Sequence, residues 1–184
     1  MNDKYNLKEI KKMYMSGKKM KYIFFWGDKP SKDGTIKKSC LSQWWKSEFK
    51  VDNIIYKTAE HWMMAQKARL FKDNEILNKI INSKSPAEAK ALGRKVKGFN
   101  NKIWNENRDQ IVIDGNFHKF SQDEDLKTFL INTKDKILVE ASPVDKIWGI
   151  ALAEDNEFID NPLKWKGLNL LGFALMEVRD MLNK

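Results

Sequence analysis

Helix-start signals recur so closely through the middle of this chain that few folds remain open to it. The clearest is Ser85-Pro86-Ala87-Glu88, a capping box with proline at the first helical position, where its missing N–H costs nothing. It predicts a helix that stops at Gly98. Upstream, Thr58 can cap a helix running to Phe71, and Asp73 a second one with Ile76, Leu77, Ile80 and Ile81 on one stripe. Downstream, Ile103, Trp104, Ile111 and Val112 belong to a helix leading towards Phe120, and Asp123 or Asp125 opens another through Leu130. Asn169 is expected to cap a last helix, whose residues Leu171, Leu175, Val178 and Leu182 recur at intervals of three and four. The β-prone runs lie outside this helical stretch. They are residues 22–26, residues 49–56 with a hairpin break at Asp52-Asn53, and two runs expected to pair, 137–140 and 146–150, separated by Ser142-Pro143. These elements predict an α+β fold, a helix-dominated single domain with a few short strands. No repeat or long linker interrupts it, so the domain is expected over 22–184, preceded by a basic segment, 1–21.

Composition excludes several classes. With 42% apolar residues in 184, the chain can bury a substantial core. No apolar run approaches the ~18 residues of a membrane span, and residues 23–26 are too short for a secretory core of about 7–15 residues. A cytoplasmic protein with no membrane partner is expected. Cys40 is the only cysteine, and His61 and His118 are the only histidines, so neither a disulfide nor a zinc site of the usual ligands can be built. We expect no metal and no cofactor. The net charge of +9 is unevenly spread: the first 21 residues hold seven lysines against Asp3 and Glu9, more than half of the excess. The simplest reading is a solvated helix with Leu7, Ile10 and Tyr14 spaced to dock one face.

Familiar phosphate-binding and nucleophile motifs are missing, and Cys40 reads as a buried thiol. Glu60 is more informative. It stands in the first turn of its helix, where the dipole favours a negative charge, and Met64 and Lys67 follow at i+4 and i+7. A carboxylate and an ammonium therefore project from one face and would tune each other's ionisation in a cleft. Asp145 precedes the run containing Trp148. Trp45, Trp104, Trp148 and Trp165 lie near turns or polar residues, where an indole can stack on a heterocycle. Residues 167–172, with Asn169, join a loop to a helix and would aim backbone N–H groups at an anion.

Taken in order, these segments resemble the NADAR (NAD and ADP-ribose) superfamily, the YbiA-like proteins. The resemblance lies in residues 56–67 (YKTAEHWMMAQK), 85–94 (SPAEAKALGR), Trp104, Lys119-Phe120, 138–142 (LVEAS), 145–149 (DKIWG) and 165–179 (WKGLNLLGFALMEVR). It covers about residue 22 to the end. The resemblance implies a metal-free cleft for ribosyl compounds. It also implies an N-glycosidase that hydrolyses phosphoribosylamino-pyrimidine intermediates of riboflavin biosynthesis to release ribose 5-phosphate. Other members remove ADP-ribose from guanine in DNA, which makes ADP-ribosylated DNA a second candidate partner. A non-enzymatic ADP-ribose or NAD-binding module is a third reading. The small-molecule ribosylated heterocycle comes first.

Under this resemblance Glu60 stabilises the ribosyl cation that C–N cleavage generates, or orients water. Asp145 is its partner carboxylate or holds the sugar hydroxyls, and Lys67 assists the leaving group or attacks the sugar as an amine. Trp104, Trp148 and Trp45 would contact the base, Asn169 the substrate, and Arg94, Lys119 or Lys166 the phosphate. Three departures concern substrate contacts. Ser42-Gln43-Trp44 stands where many relatives have Ser-Asn-Phe, Gly167-Leu168-Asn169 where Gly-Lys-Asn is common, and Ala151 where a glycine often stands.

Overall fold

The structure, a computed structural model, describes residues 4–184. Asp3, counted above in the basic segment, lies outside the described residues. From the N-terminus come helix α1 (Leu7–Met15), strand β1 (Tyr22–Phe25) and the strands β2 (Phe49–Val51) and β3 (Ile54–Tyr56). Helices α2 (Ala59–Leu70), α3 (Asn74–Asn82), α4 (Pro86–Gly93) and α5 (Asn101–Ser121) follow. Helix α6 (Glu124–Ile131), strand β4 (Ile137–Glu140) and helix α7 (Leu170–Leu182) come last. This is the helix-dominated α+β arrangement expected from the sequence. The chain divides into two compact units, Gln43–Asp123 and Met1–Ser42 with Glu124–Lys184.

In the unit Gln43–Asp123, β2 and β3 form the expected antiparallel hairpin. Asp52 and Asn53 both take positive φ, 48° and 64°, as a two-residue hairpin loop of type I′ requires. The Gln122 amide closes the edge of β2, accepting from the Lys50 N–H and donating to its carbonyl, both at 2.9 Å. Helix α2 packs against α3, α4 and α5, and its residues 59–65 are all buried. Two glycines allow this. A Cβ at Gly115 of α5 would meet Trp62 Cδ1 at 2.3 Å, and one at Gly93 would meet Met64 Sδ at 2.1 Å.

Thr58, Asp73 and Ser85 cap α2, α3 and α4 as expected. Helix α4, however, ends at Gly93 and does not reach Gly98. The cause is not local. Asp73, while capping α3 through Oδ1, takes the Lys97 N–H on Oδ2 at 2.9 Å, and that bond draws the chain off the helical path.

In the other unit β4 pairs in parallel with β1, Tyr22 opposite Ile137 and Phe25 opposite Glu140. The expected pairing of 137–140 with 146–150 does not form, and 146–150 is not a strand. Asp145 Oδ1 accepts the N–H groups of Ile147 and Trp148, both at 2.8 Å. The carbonyls of Lys146, Ile147, Trp148 and Gly149 accept those of Leu168, Leu170, Leu171 and Asn169. Residues 146–149 thus spend their carbonyls on the approach to α7. That helix lies on β4, so closely that a Cβ at Gly172 would meet the Leu138 carbonyl at 2.1 Å. Part of the basic segment forms α1, capped by Asn6, with Ile10 buried at 1% exposure.

Candidate active site

The N-terminal turn of α2 is fixed before its side chains act. Thr58 Oγ1 accepts the His61 N–H, and the Glu60 N–H donates to the Gln43 carbonyl at 3.0 Å. Gln43 is held in turn: Asn116 Nδ2 donates to its Oε1 and to the Val112 carbonyl, each at 2.8 Å. Glu60 is 2% exposed, so its carboxylate works away from bulk water, where a charge acts more strongly on a neighbouring group. Sequence reasoning missed Asn116. Its signal was a polar residue among Val112, Ile113 and Phe120 on the apolar stripe of α5.

Two turns along α2, the Lys67 ammonium lies 4.3 Å from the centre of the Phe99 ring and 5.5 Å from that of Trp104. Burial pushes its pKa below the ordinary 10.5, the Arg94 charge pushes it further down, and Glu60 opposes both. Arg94 acts here because Gly93 lets the end of α4 close on Met64 of α2. Phe99, the second residue missed, is 45% exposed and meets Phe71 edge to face at 5.3 Å. Of the residues singled out from sequence, Glu60, Lys67, Arg94 and Trp104 are brought together within the unit Gln43–Asp123.

Others are placed differently. Trp45 is buried at 8% exposure, much as Trp104 is at 9%, and Lys119 is fully buried with its ammonium 4.9 Å from the Phe120 ring. His61 is buried, bonded to Thr58 Oγ1 at 2.8 Å, and lowered in pKa by burial, which suits a structural neutral imidazole. In the other unit, Asp145 and Trp148 are half-buried in the loop 145–150, with Asp145 Oδ1 committed to that loop. Lys166 is exposed. Asn169 corrects two expectations. It sits at the start of α7 with φ 56° but makes no side-chain cap. Its fully buried amide instead clips β4, accepting the Glu140 N–H at 3.0 Å and donating to the Leu138 carbonyl at 2.9 Å. The N–H groups of Asn169, Leu170 and Leu171 are also taken by carbonyls, so the anion-binding reading of 167–172 fails for those three donors. Trp165 is core, its Nε1–H donating to the Ile159 carbonyl at 2.8 Å.

No group of three or more His, Cys, Asp or Glu side chains among the described residues is arranged to hold a metal ion. No described helix is long and apolar enough to cross a membrane.

A buried carboxylate and an aromatic-shielded lysine on one helix, with an arginine nearby, equip a protein to stabilise a glycosyl cation and handle a proton, the work of a glycosyl hydrolase. The chain belongs to the NADAR family: residues 24–183 match the NADAR domain. It is 41% identical over 165 residues to an N-glycosidase of Acanthamoeba polyphaga mimivirus, spanning 87% of this chain and 95% of that protein. It is 32% identical over 141 residues to an N-glycosidase of Nostoc punctiforme, spanning 77% and 83%. The NMR structure of E. coli YbiA matches with a TM-score of 0.70 and 28% identity, over 89% of this chain and 85% of that one. Its enzyme class is that of hydrolases acting on N-glycosyl bonds.

Proposed function

We propose that this N-glycosidase acts in the cytoplasm on phosphoribosylamino-pyrimidine intermediates of riboflavin biosynthesis, releasing ribose 5-phosphate without metal or cofactor. The observation that carries the reading is the α2 face on which Glu60 and Lys67 stand two turns apart, with Phe99 and Trp104 over the lysine. When the C1′–N bond breaks, its electron pair leaves with the nitrogen and positive charge develops on C1′ and the ring oxygen. Glu60 stabilises that charge and directs water to C1′, taking up the water proton. Lys67, made less basic than an ordinary lysine, supplies the proton the departing nitrogen needs. Trp104 and Phe99 offer faces to the base, and Arg94 is the cation assigned to the phosphate.

The test is to incubate the protein with a phosphoribosylamino-pyrimidine and, separately, with ADP-ribosylated DNA, reading released ribose 5-phosphate and restored guanine. Release from the first substrate alone is expected. Restored guanine without ribose 5-phosphate release would move the assignment to DNA. Ribosyl label retained on Lys67 after cyanoborohydride reduction would make that lysine the nucleophile and not the proton donor.

A further inference from the structure

The unit containing α1 and α7 has a cavity of about 510 Å³ that no step above uses. Small-molecule sites commonly enclose about 300–1,000 Å³. Ile10, Ile137 and Met176, 1%, 4% and 2% exposed, line it together with the half-buried Met13 and Met20. Lys18, Lys19, Lys21 and Lys134, all exposed, line it as well. Among the described residues, these four lysines have no ion-pair partner. The other charges at the wall are largely committed. Asp180 takes Lys4 and the Tyr5 hydroxyl, and Arg179 donates to Thr133 Oγ1 and the Lys136 carbonyl. Asp135 is left as the one acidic residue among the four lysines.

Two backbone features place these lysines. Gly17, φ 75°, follows α1 and turns the chain so that residues 18–21 line the cavity. Lys134 has φ 54°, a left-handed conformation that glycine adopts without strain and a lysine does not. A side chain kept at a strained position points to a use for it. Residues 4–21, one wall of the cavity, also lie outside the 24–183 span matched by the family.

We propose that this cavity is a second ligand site, separate from the Glu60 face, for a phosphate monoester carried on a flat aromatic body, a ligand of mononucleotide size. The lysines supply the charge for the phosphate. Thioethers from Met13, Met20 and Met176 supply a polarisable floor that packs against a ring. Either half alone engages only one part of the site.

The experiment titrates the full-length protein with adenosine 5′-monophosphate, adenosine and inorganic phosphate by calorimetry at low and high salt. The monophosphate should bind saturably and more tightly than either half, and salt should weaken it. Lys18→Glu with Lys134→Glu should weaken it by about tenfold or more, while Trp104→Ala should leave it unchanged. Lys134→Gly should lower affinity while raising thermal stability, because it relieves the left-handed residue. Absence of saturable binding would overturn the proposal. So would equal affinity for inorganic phosphate, which would reduce the site to surface charge. Loss of binding in Trp104→Ala with retention in the lysine variants would assign the ligand to the catalytic face.

Discussion

Replacing Gly115 by alanine tests whether the placement of α2 is set as described, because helix propensity and packing predict opposite signs. Alanine in a helix interior is favoured over glycine by about 1 kcal/mol. Against this, the new methyl would stand 2.3 Å from Trp62 Cδ1, 2.8 Å from Nε1 and 3.0 Å from Cγ, whereas comfortable carbon contacts are about 3.5–4.0 Å. The indole must retreat by about an ångström, and it has nowhere easy to go. Its N–H donates to the Ile111 carbonyl at 2.8 Å, and Tyr56 and His118 crowd it with ring centres at 5.0 and 5.4 Å. Overpacking costs about 1–3 kcal/mol and a strained buried hydrogen bond about 1 kcal/mol more. After the propensity gain, Gly115→Ala should destabilise by about 1–3 kcal/mol. For a chain of this length that is a fall in Tm of about 4–8 °C at the middle of the range. Thermal and urea denaturation read it directly. In a Trp62→Leu background, which removes the obstacle, the same change should be neutral or stabilising. A Gly115→Ala protein as stable as the parent, or a penalty unchanged by Trp62→Leu, would refute the packing argument.

Glu60→Gln keeps size and removes charge, so turnover should fall by about 10² or more with the fold intact, the scale of losing one preorganised electrostatic group. Near-normal turnover would remove Glu60 from the chemistry. Because burial and Arg94 lower the Lys67 pKa, the protonated form is lost at a lower pH than for an exposed lysine, and the alkaline limb of the rate profile should lie below 10.5. Arg94→Gln should move that limb up. Phe99→Leu, which keeps apolar shielding but removes the ring that favours the charged ammonium, should move it down, and shifts of the opposite sign would contradict the assignment. Activity should survive exhaustive chelation, since one carboxylate beside two cationic side chains is a poor donor set for a metal ion; loss with recovery on adding a divalent ion would show a missed site.

The fold was legible where it is decided locally. Thr58, Asp73 and Ser85 cap their helices because a short polar side chain can reach the N–H three residues on in any setting. The Asp52-Asn53 turn was also readable locally, because these residue types tolerate the positive φ that a two-residue hairpin loop needs. The end of α4 was not, since Gly98 had the local chemistry of a stop, but a carboxylate on Asp73 ended the helix earlier. Strand partners were also hidden: 137–140 reads as a strand from its composition, but nothing in four residues says that β1, far away in the chain, is the partner.

The candidate site divides along the same line. Glu60 and Lys67 share a helix, so their spacing alone placed them on one face. Arg94 and Phe99 reach Lys67 from beyond α4, and only the close approach at Gly93 makes the arginine matter. Asn169 shows the converse. Its amide suits capping a helix, contacting a substrate or satisfying main-chain groups, and the sequence pointed only to the first two. What decides is that the Leu138 carbonyl and the Glu140 N–H, on the side of β4 not paired with β1 at these atoms, lie buried beneath α7. A buried main-chain group without a partner costs more than a neutral hydrogen bond contributes elsewhere. The amide therefore goes to β4, and the specificity of the site must be carried by side chains that the main chain does not need.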